Sequence, residues 1–461
     1  MRPYHLLIPS DNLAISDKTV KLTYTQFIQR IHEINDWYKE NGYGPGHRIS
    51  VVGTNTVETY LYLFAAAIDM CATTLPYGGT PEEWRFRLDA NNSNAIVHVA
   101  DKKIEHRHYE KSTVLDKEIM LYYSSGTSHP YGWQKSYPVP YELDKNNWGT
   151  AQDVTHYYRE QGNPAYRNPL TNRTINTMPP YVGWGQEVTF TTIAKGGHVH
   201  LLLEATEYDE AAEWVKPTWL AGFPLAWQKV IDTNTGSHNI EVFEYSGGKL
   251  IPGQKETFEN FFGHKQWICG YGDAATGMTF VNYTNNFDHI GKPIACLENT
   301  GSEYRISDTG TIEFRGLMTP NQEWWDTGDL TEIDNQGNWR LIGRSNELII
   351  VRGGGKVYPY EVEEILSKHP AVSEMYVYPQ PDPKLTSVPA CVYYGDIAPA
   401  ELAEWASGTM ASYKLPTRWV KLNSSVSVLQ QQTCIPKVSR LNMHYTVKSN
   451  PEWVNEEYIS S

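Results

Sequence analysis

Ile119-Met-Leu-Tyr-Tyr-Ser-Ser-Gly-Thr-Ser-His-Pro-Tyr-Gly132 begins as a short apolar run and ends as a loop crowded with hydroxyls and glycines. A run of that kind reads as a strand, and the loop after it is suited to holding an anion. Glycine lets backbone N–H groups converge on a phosphate, and Ser or Thr hydroxyls add donors. A plain Ser/Gly surface turn satisfies the same composition. The loop is not the Gly-x-x-x-x-Gly-Lys-Ser/Thr type, because five residues separate Gly126 from Gly132 and no lysine follows. Outward from this point, Arg48-Ile-Ser-Val-Val52 and Ala95-Ile-Val-His-Val-Ala100 also read as strands, with helical patterns at 25–41 and 56–70. Strands alternating with helices predict an α/β architecture with a largely parallel sheet, whose ligands gather at the carboxyl ends of its strands.

The pattern changes near residue 345. Trp339-Arg-Leu-Ile-Gly343 reads as a last strand, and Arg344-Ser-Asn346 as a hinge. Glu347-Leu-Ile-Ile-Val351, a glycine turn and an amphipathic helix from about Tyr360 to Lys368 open a compact C-terminal unit. The expected division is therefore residues 1–344 and 345–461, a large domain of layered sheets and helices followed by a small α+β domain. A chain of 461 residues accommodates both.

Composition narrows the function. Thirty-nine basic against 53 acidic residues leave a net charge of −14, which supplies no field for a polyphosphate strand, so nucleic acid is excluded as the principal partner. Five scattered cysteines without a Cys-x-x-Cys pair indicate a reducing compartment. The start MRPYHLLIPSDN lacks the marks of a secretion or import signal, and the longest apolar run, Tyr60 to Ile68, falls well short of the roughly 20 residues of a membrane span. A cytoplasmic protein with no membrane span is expected.

Trp325-Asp-Thr-Gly-Asp329, Gly343-Arg344 and Val351-Arg-Gly-Gly-Gly-Lys-Val-Tyr-Pro-Tyr-Glu-Val-Glu-Glu364 follow the Ser/Gly loop in order. Together with Leu22-Thr-Tyr24, Gly44-Pro-Gly-His-Arg-Ile49, Ser246-Gly-Gly248, Gly270-Tyr-Gly-Asp273, Gly291-Lys-Pro293 and Lys437-Val-Ser-Arg440, they extend over nearly the whole chain. In this order and spacing the sequence resembles the adenylate-forming superfamily: acyl- and aryl-CoA synthetases, luciferases and peptide-synthetase adenylation domains. The Tyr-Pro before the acidic helix is closest in style to the acyl-CoA ligases.

The resemblance implies an enzyme that uses ATP and Mg²⁺ to turn a small carboxylic acid into an acyl-AMP, then passes the acyl group to a thiol of CoA or of an acyl carrier protein, with a mobile C-terminal domain. By the same resemblance Ser124, Ser125, Gly126, Thr127 and Ser128 cover the phosphates, and Thr127 offers the protein hydroxyl to the metal. Gly247, Gly248, Tyr271, Gly272 and Asp273 frame the adenine, with Tyr271 stacking on it. Asp329 takes the ribose hydroxyls, for which a two-oxygen acceptor is suited, and Arg344 lies beside it. Tyr181, Val182, Trp184 and Gly270 line the acyl pocket, Gly353, Gly354 and Lys356 the thiol channel. Asn346 is the pivot, and Lys437 is the catalytic lysine that offsets charge developing at phosphorus.

Several positions depart from the superfamily pattern. Tyr131 replaces the phosphate-loop lysine, Ala275 the metal-binding glutamate, Pro436 the glycine before the lysine, and Asn346 a charged pivot. A family member that binds ATP, AMP or an acyl-adenylate without turnover is the alternative these departures support. Gly270-Tyr-Gly-Asp-Ala-Ala275 also fits a relaxed dinucleotide fingerprint, but no acidic βαβ partner supports it. His198-Val-His200 places two imidazoles on one strand face with no third metal ligand evident, and two ordinary histidines are the simpler reading.

Overall fold

The computed structural model describes residues 7–79, 81–107, 118–123, 136–140, 159–236, 240–248, 250, 254–263, 266–273, 276–295, 297, 302–316, 319, 323–351, 355–382, 386–429, 440 and 443–459. Two large sheets dominate the N-terminal part. The six-stranded sheet runs, in spatial order, Lys103–His106, Ala95–His98, Arg48–Val52, Cys71–Leu75, Glu118–Tyr123 and Ser136–Pro140. Its four inner strands are parallel and only the two edges run antiparallel. The strand that leads into the Ser/Gly loop thus ends on the same side of the sheet as its parallel neighbours.

The nine-stranded sheet has the order Lys292–Pro293, Gly277–Asn282, Gln266–Asp273, Val242–Tyr245, Trp219–Gly222, Arg173–Asn176, His198–Leu201, Leu13–Ser16 and Lys21–Thr23. Six consecutive strands, Gln266–Asp273 through Leu13–Ser16, are parallel.

The helices between the strands follow from local sequence. Tyr24–Glu40 starts at a reciprocal Thr23/Gln26 capping box, and its buried Phe27, Ile31, Ile34 and Tyr38 recur every three or four residues. Val57–Ala66 is buried along its whole length except at Glu58, as its apolar run from Tyr60 onward demands. Its first amide donates to Asp17 Oδ2 at 2.8 Å, which ties the helix to the far edge of the nine-stranded sheet. Both expected helices are present, the second ending four residues earlier than expected.

One layer was not foreseen. Glu303–Ile306, Thr311–Arg315, Trp325–Ile333 and Trp339–Arg344 form a separate antiparallel four-stranded sheet, of which only the last strand reads clearly from sequence. Trp325–Ile333 carries Thr, Gly and two Asp in nine residues, a composition that reads as turn rather than strand. It is a strand because it has a partner on each side.

After residue 344 a short 3-10 turn, Ser345–Glu347, leads to the hairpin Ile349–Val351 and Gly355–Val357 and then the helix Pro359–Leu366, with Pro at its first position. A second four-stranded sheet follows: Val372–Asp382, Thr386–Gly395, Arg418–Leu422 and Val454–Ile459. One face packs on Val362, Leu366, Leu402 and Trp419, the other on Val426, Met443 and Val447, so this small unit has its own two-sided core. Among the described residues no helix is long and apolar enough to cross a membrane, and Cys71, Cys269 and Cys391 are buried free thiols.

Candidate active site

Asp329 and Arg344 lie on adjacent antiparallel strands and face each other in register. Arg344 Nε donates to Asp329 Oδ1 at 2.8 Å, and the Tyr271 hydroxyl donates to Asp329 Oδ2 at 2.7 Å. Tyr271 comes from the nine-stranded sheet, so this carboxylate joins two sheets that the chain builds separately. A bulge follows Asp329, between Leu330 and Thr331, where a ladder irregularity re-aims side chains. The Asp329 amide bonds Thr327 Oγ1 at 3.1 Å, and Thr327 Oγ1 donates to Ile312 O at 2.9 Å, which fixes the strand from behind.

The pair is asymmetric. The Asp329 side chain is 9% exposed and that of Arg344 33%, so solvent reaches the arginine of the pair more than the carboxylate. Asp329 is the main reason the Arg344 guanidinium is held above its ordinary range, against an opposing effect of burial.

Tyr271 sits at the carboxyl end of its strand, where a bulge separates it from Gly272. A Cβ at Gly272 would come within 1.9 Å of the Gly277 carbonyl oxygen, so only glycine lets the two strands close. Beside it, Ser246, Gly247 and Gly248 follow the parallel neighbour Val242–Tyr245. Gly247 has φ +74°, and a Cβ there would meet the Phe223 ring at 2.4 Å; Gly248 has open space around it. Phe223 in turn meets Trp184 edge-on, with ring centroids 5.4 Å apart.

That contact joins the Gly247 turn, expected beside adenine, to the residues expected beside the acyl group. Val182 is 2% exposed and caps the helix Gly183–Ala194, while the flanking Tyr181 and Trp184 are half-buried. Of the three, the aromatics present surface and the valine is core. Gly270 leaves room for Met278, whose Sδ lies 3.1 Å from where a Cβ would stand. Tyr181, Val182, Trp184, Phe223 and Met278 belong to one apolar cluster.

Other expected positions fall elsewhere. Lys356 is exposed in its short hairpin, and Asn346 is exposed in the 3-10 turn. Asp273 ends its strand. Ser124, Ser125, Gly126, Thr127, Ser128, Tyr131, Ala275, Gly353, Gly354, Pro436 and Lys437 lie outside the described residues. His198 and His200 share the Ser16 hydroxyl at 2.8 and 3.0 Å and are buried beneath Trp214. Burial lowers the His198 imidazole to about 3 and the His200 imidazole to about 4.

Sequence reasoning missed two features of this site. The first is the phenol of Tyr271 on Asp329, 58 residues away in the chain, which only the pairing of the sheets can disclose. The second is Arg440, quoted with Lys437 as a motif residue without a role. It is 7% exposed and holds both Glu347 and Glu363. Its signal was an arginine three positions after the lysine, with a run of acidic residues in Glu361–Glu364 to receive it.

A carboxylate, an arginine, an aromatic ring and a glycine turn come together here, the ring and the turn at the carboxyl ends of parallel strands, and among known proteins the chain is similar to acyl-CoA ligases. Residues 361–425 match the family described as AMP-binding enzyme C-terminal domain. The chain is 23% identical over 450 residues to an uncharacterized acyl-CoA ligase, YhfT, of Bacillus subtilis, covering 89% of this chain and 91% of that one. It is 23% identical over 461 residues to a 2-succinylbenzoate-CoA ligase of Staphylococcus epidermidis, covering 90% and 92%. The o-succinylbenzoate CoA synthetase of Bacillus subtilis, solved with its acyl-adenylate intermediate, shares the fold at a TM-score of 0.74 with 18% identity, over 95% of this chain and 97% of that one.

Proposed function

We propose that the protein is an AMP-forming acid-thiol ligase acting on a small carboxylic acid. A carboxylate oxygen attacks the α-phosphorus of ATP, pyrophosphate leaves, and an acyl-AMP remains. A thiol sulfur then attacks the acyl carbonyl carbon, AMP leaves, and the thiol proton passes to solvent. CoA is the proposed thiol, with an acyl carrier protein as the alternative source, and the cytoplasm is the proposed location. The observation that carries this reading is the Tyr271–Asp329–Arg344 cluster, where a buried carboxylate beside a part-exposed arginine is suited to ribose hydroxyls.

In this reading Asp329 receives the ribose, Tyr271 orients Asp329 through its phenol and offers its ring to the adenine, and Gly247 and Gly248 let the base approach the backbone. Ser124 to Ser128 hold the phosphates, and Lys437 stabilises the charge developing at phosphorus. Tyr181 and Trp184 meet the acyl group, and Gly353, Gly354 and Lys356 line the thiol route. The domains divide at 344/345, with Asn346 as pivot. Orientation of carboxylate and α-phosphate supplies most of the acceleration, because little covalent work falls to the protein. The donor set, a hydroxyl at Thr127 with alanine at 275, fits a loosely held Mg²⁺ that keeps its waters and the ATP oxygens and supplies charge neutralisation when bound.

The deciding experiment is pyrophosphate release over a panel of carboxylic acids, with and without CoA. Release with at least one acid, and acyl-CoA only when CoA is present, is the expected result. ATP binding without release for any acid would assign the protein to the non-turnover alternative that Tyr131, Ala275 and Pro436 favour.

A further inference from the structure

Two ionic clamps bracket the turn Ser345–Glu347. On its N-terminal side Arg344 is fixed to Asp329. On its C-terminal side Arg440 Nη1 donates to Glu347 Oε2 at 3.1 Å, while Nη2 reaches both oxygens of Glu363 at 3.1 and 3.0 Å and Nε adds a bond to Oε1 at 3.2 Å. Glu363 stands on the helix Pro359–Leu366 and also accepts the Val377 amide at 2.7 Å, so its carboxylate is itself anchored to the C-terminal sheet. The rings of Tyr360 and Tyr376 lie 4.4 and 5.4 Å from the guanidinium carbon. Burial works to lower the Arg440 guanidinium, but Glu363, Tyr360 and Glu347 outweigh it and hold it well above its ordinary range. Ser345 and Asn346, both exposed, lie between the clamps.

We infer that Arg440 is a positioning residue. With Glu347 and Glu363 it makes the end of the hinge turn and the helix Pro359–Leu366 one rigid unit, so that rotation is confined to Ser345 and Asn346. This rests on the roles proposed above for Asn346 and Lys437. Three residues of extended chain span at most about 11 Å, so an anchored Arg440 keeps the Lys437 backbone within that distance of it in every orientation of the domain. The planar fork of Arg440 meets both oxygens of Glu363 and one of Glu347 at once, a geometry that the point charge of a lysine does not match. Glu347 also bears on Arg344. Its charge therefore bears on both arginines, and it travels with Arg440 when the pivot turns.

The test compares wild type with Glu347→Gln, Arg440→Lys and Arg440→Met in both half-reactions, and follows amide hydrogen exchange across residues 345–351 and the helix Met443–Ser449. Glu347→Gln should lower kcat for adenylate formation about tenfold with the ATP KM within about twofold, and Arg440→Met on the order of a hundredfold, the scale of a misplaced catalytic group. Arg440→Lys should fall between them. Transfer of a supplied acyl-AMP to CoA should be unchanged in Glu347→Gln, and the two segments should exchange faster while the strand Thr311–Arg315 does not. Equal losses in both half-reactions, or a loss confined to the ATP KM, would overturn the inference. If wild type releases no pyrophosphate with any acid, the functional reading falls, and hydrogen exchange in Glu347→Gln decides alone: unchanged exchange at 345–351 overturns the clamp, and faster exchange upholds it.

Discussion

The nine-stranded sheet and the four-stranded sheet beside it each hold an arginine–carboxylate pair, built to opposite ends. Arg159 and Glu244 are fully buried, with Nε and Nη2 each 2.8 Å from a carboxylate oxygen and Nη1 2.8 Å from Thr191 Oγ1. Asp329 and Arg344 use the same chemistry at the same distance with the arginine one-third exposed. A closed pair is sealed off from solvent, whereas the other can be reached from it on the arginine side. The closed pair pins residue 159 to the strand that ends at the Gly247 turn. It therefore supports the site without touching a ligand.

The largest effect expected is acid sensitivity of the closed region. His198 and His200 are held neutral in the folded protein, at about 3 and about 4, whereas an unfolded imidazole takes its proton near 6.5. As pH falls below 6.5 the unfolded chain binds protons that the folded chain refuses, so their contribution to stability is intact above 6.5 and lost progressively toward 4 and 3. Urea midpoints measured between pH 8 and 4 should decline over that window and decline less in His198→Gln. A pH-independent difference between the two proteins would refute the assignment.

Next comes Arg159→Met, which strands a buried carboxylate and should cost about 3–5 kcal/mol of stability, with a corresponding fall in Tm. A loss below about 1 kcal/mol would erase the distinction between the two pairs. Asp329→Ala should be milder for the fold and harsher for the ligand, weakening AMP binding by about 1.5–3 kcal/mol, as read by calorimetry. Unchanged AMP affinity would remove Asp329 from the nucleotide site.

The smallest effect tests exposure on the same hairpin. Glu332 and Arg340 are also register partners in the ladder that pairs Asp329 with Arg344, but both side chains are more than 40% exposed and their charged atoms are 3.4 Å apart. Glu332→Gln should change stability by no more than about 1 kcal/mol and leave AMP affinity alone. An effect matching that of Asp329→Ala would mean that burial does not separate these pairs.

Much of this was legible in the chain. Parallel sheets follow from β-branched runs spaced by helices, and the strand before the Ser/Gly loop lies where that pattern puts it. Asp329, Arg344 and Tyr271 were picked out by motif, yet their mutual contact joins two sheets, and no period in the sequence encodes which sheets abut. Trp325–Ile333 was opaque because its residues favour turns and only cross-strand partners hold it extended. Arg440 was opaque for a related reason: its two carboxylates lie 93 and 77 residues upstream. Glycines were the most informative single letters, since Gly247 and Gly272 each stand where any side chain would collide.

Phe223 serves as a party wall. One edge of its ring lies against the backbone of Gly247 and another meets the Trp184 indole, with nothing compressible between. In the proposed reaction an acid bulky enough to push Trp184 presses on Phe223, and through it on the glycine turn. In the proposed reaction the two substrates are therefore tenants who hear each other: lengthening the acid should raise the ATP KM before it abolishes turnover. A Phe223→Leu wall, thinner by most of a ring, should let the two affinities drift apart.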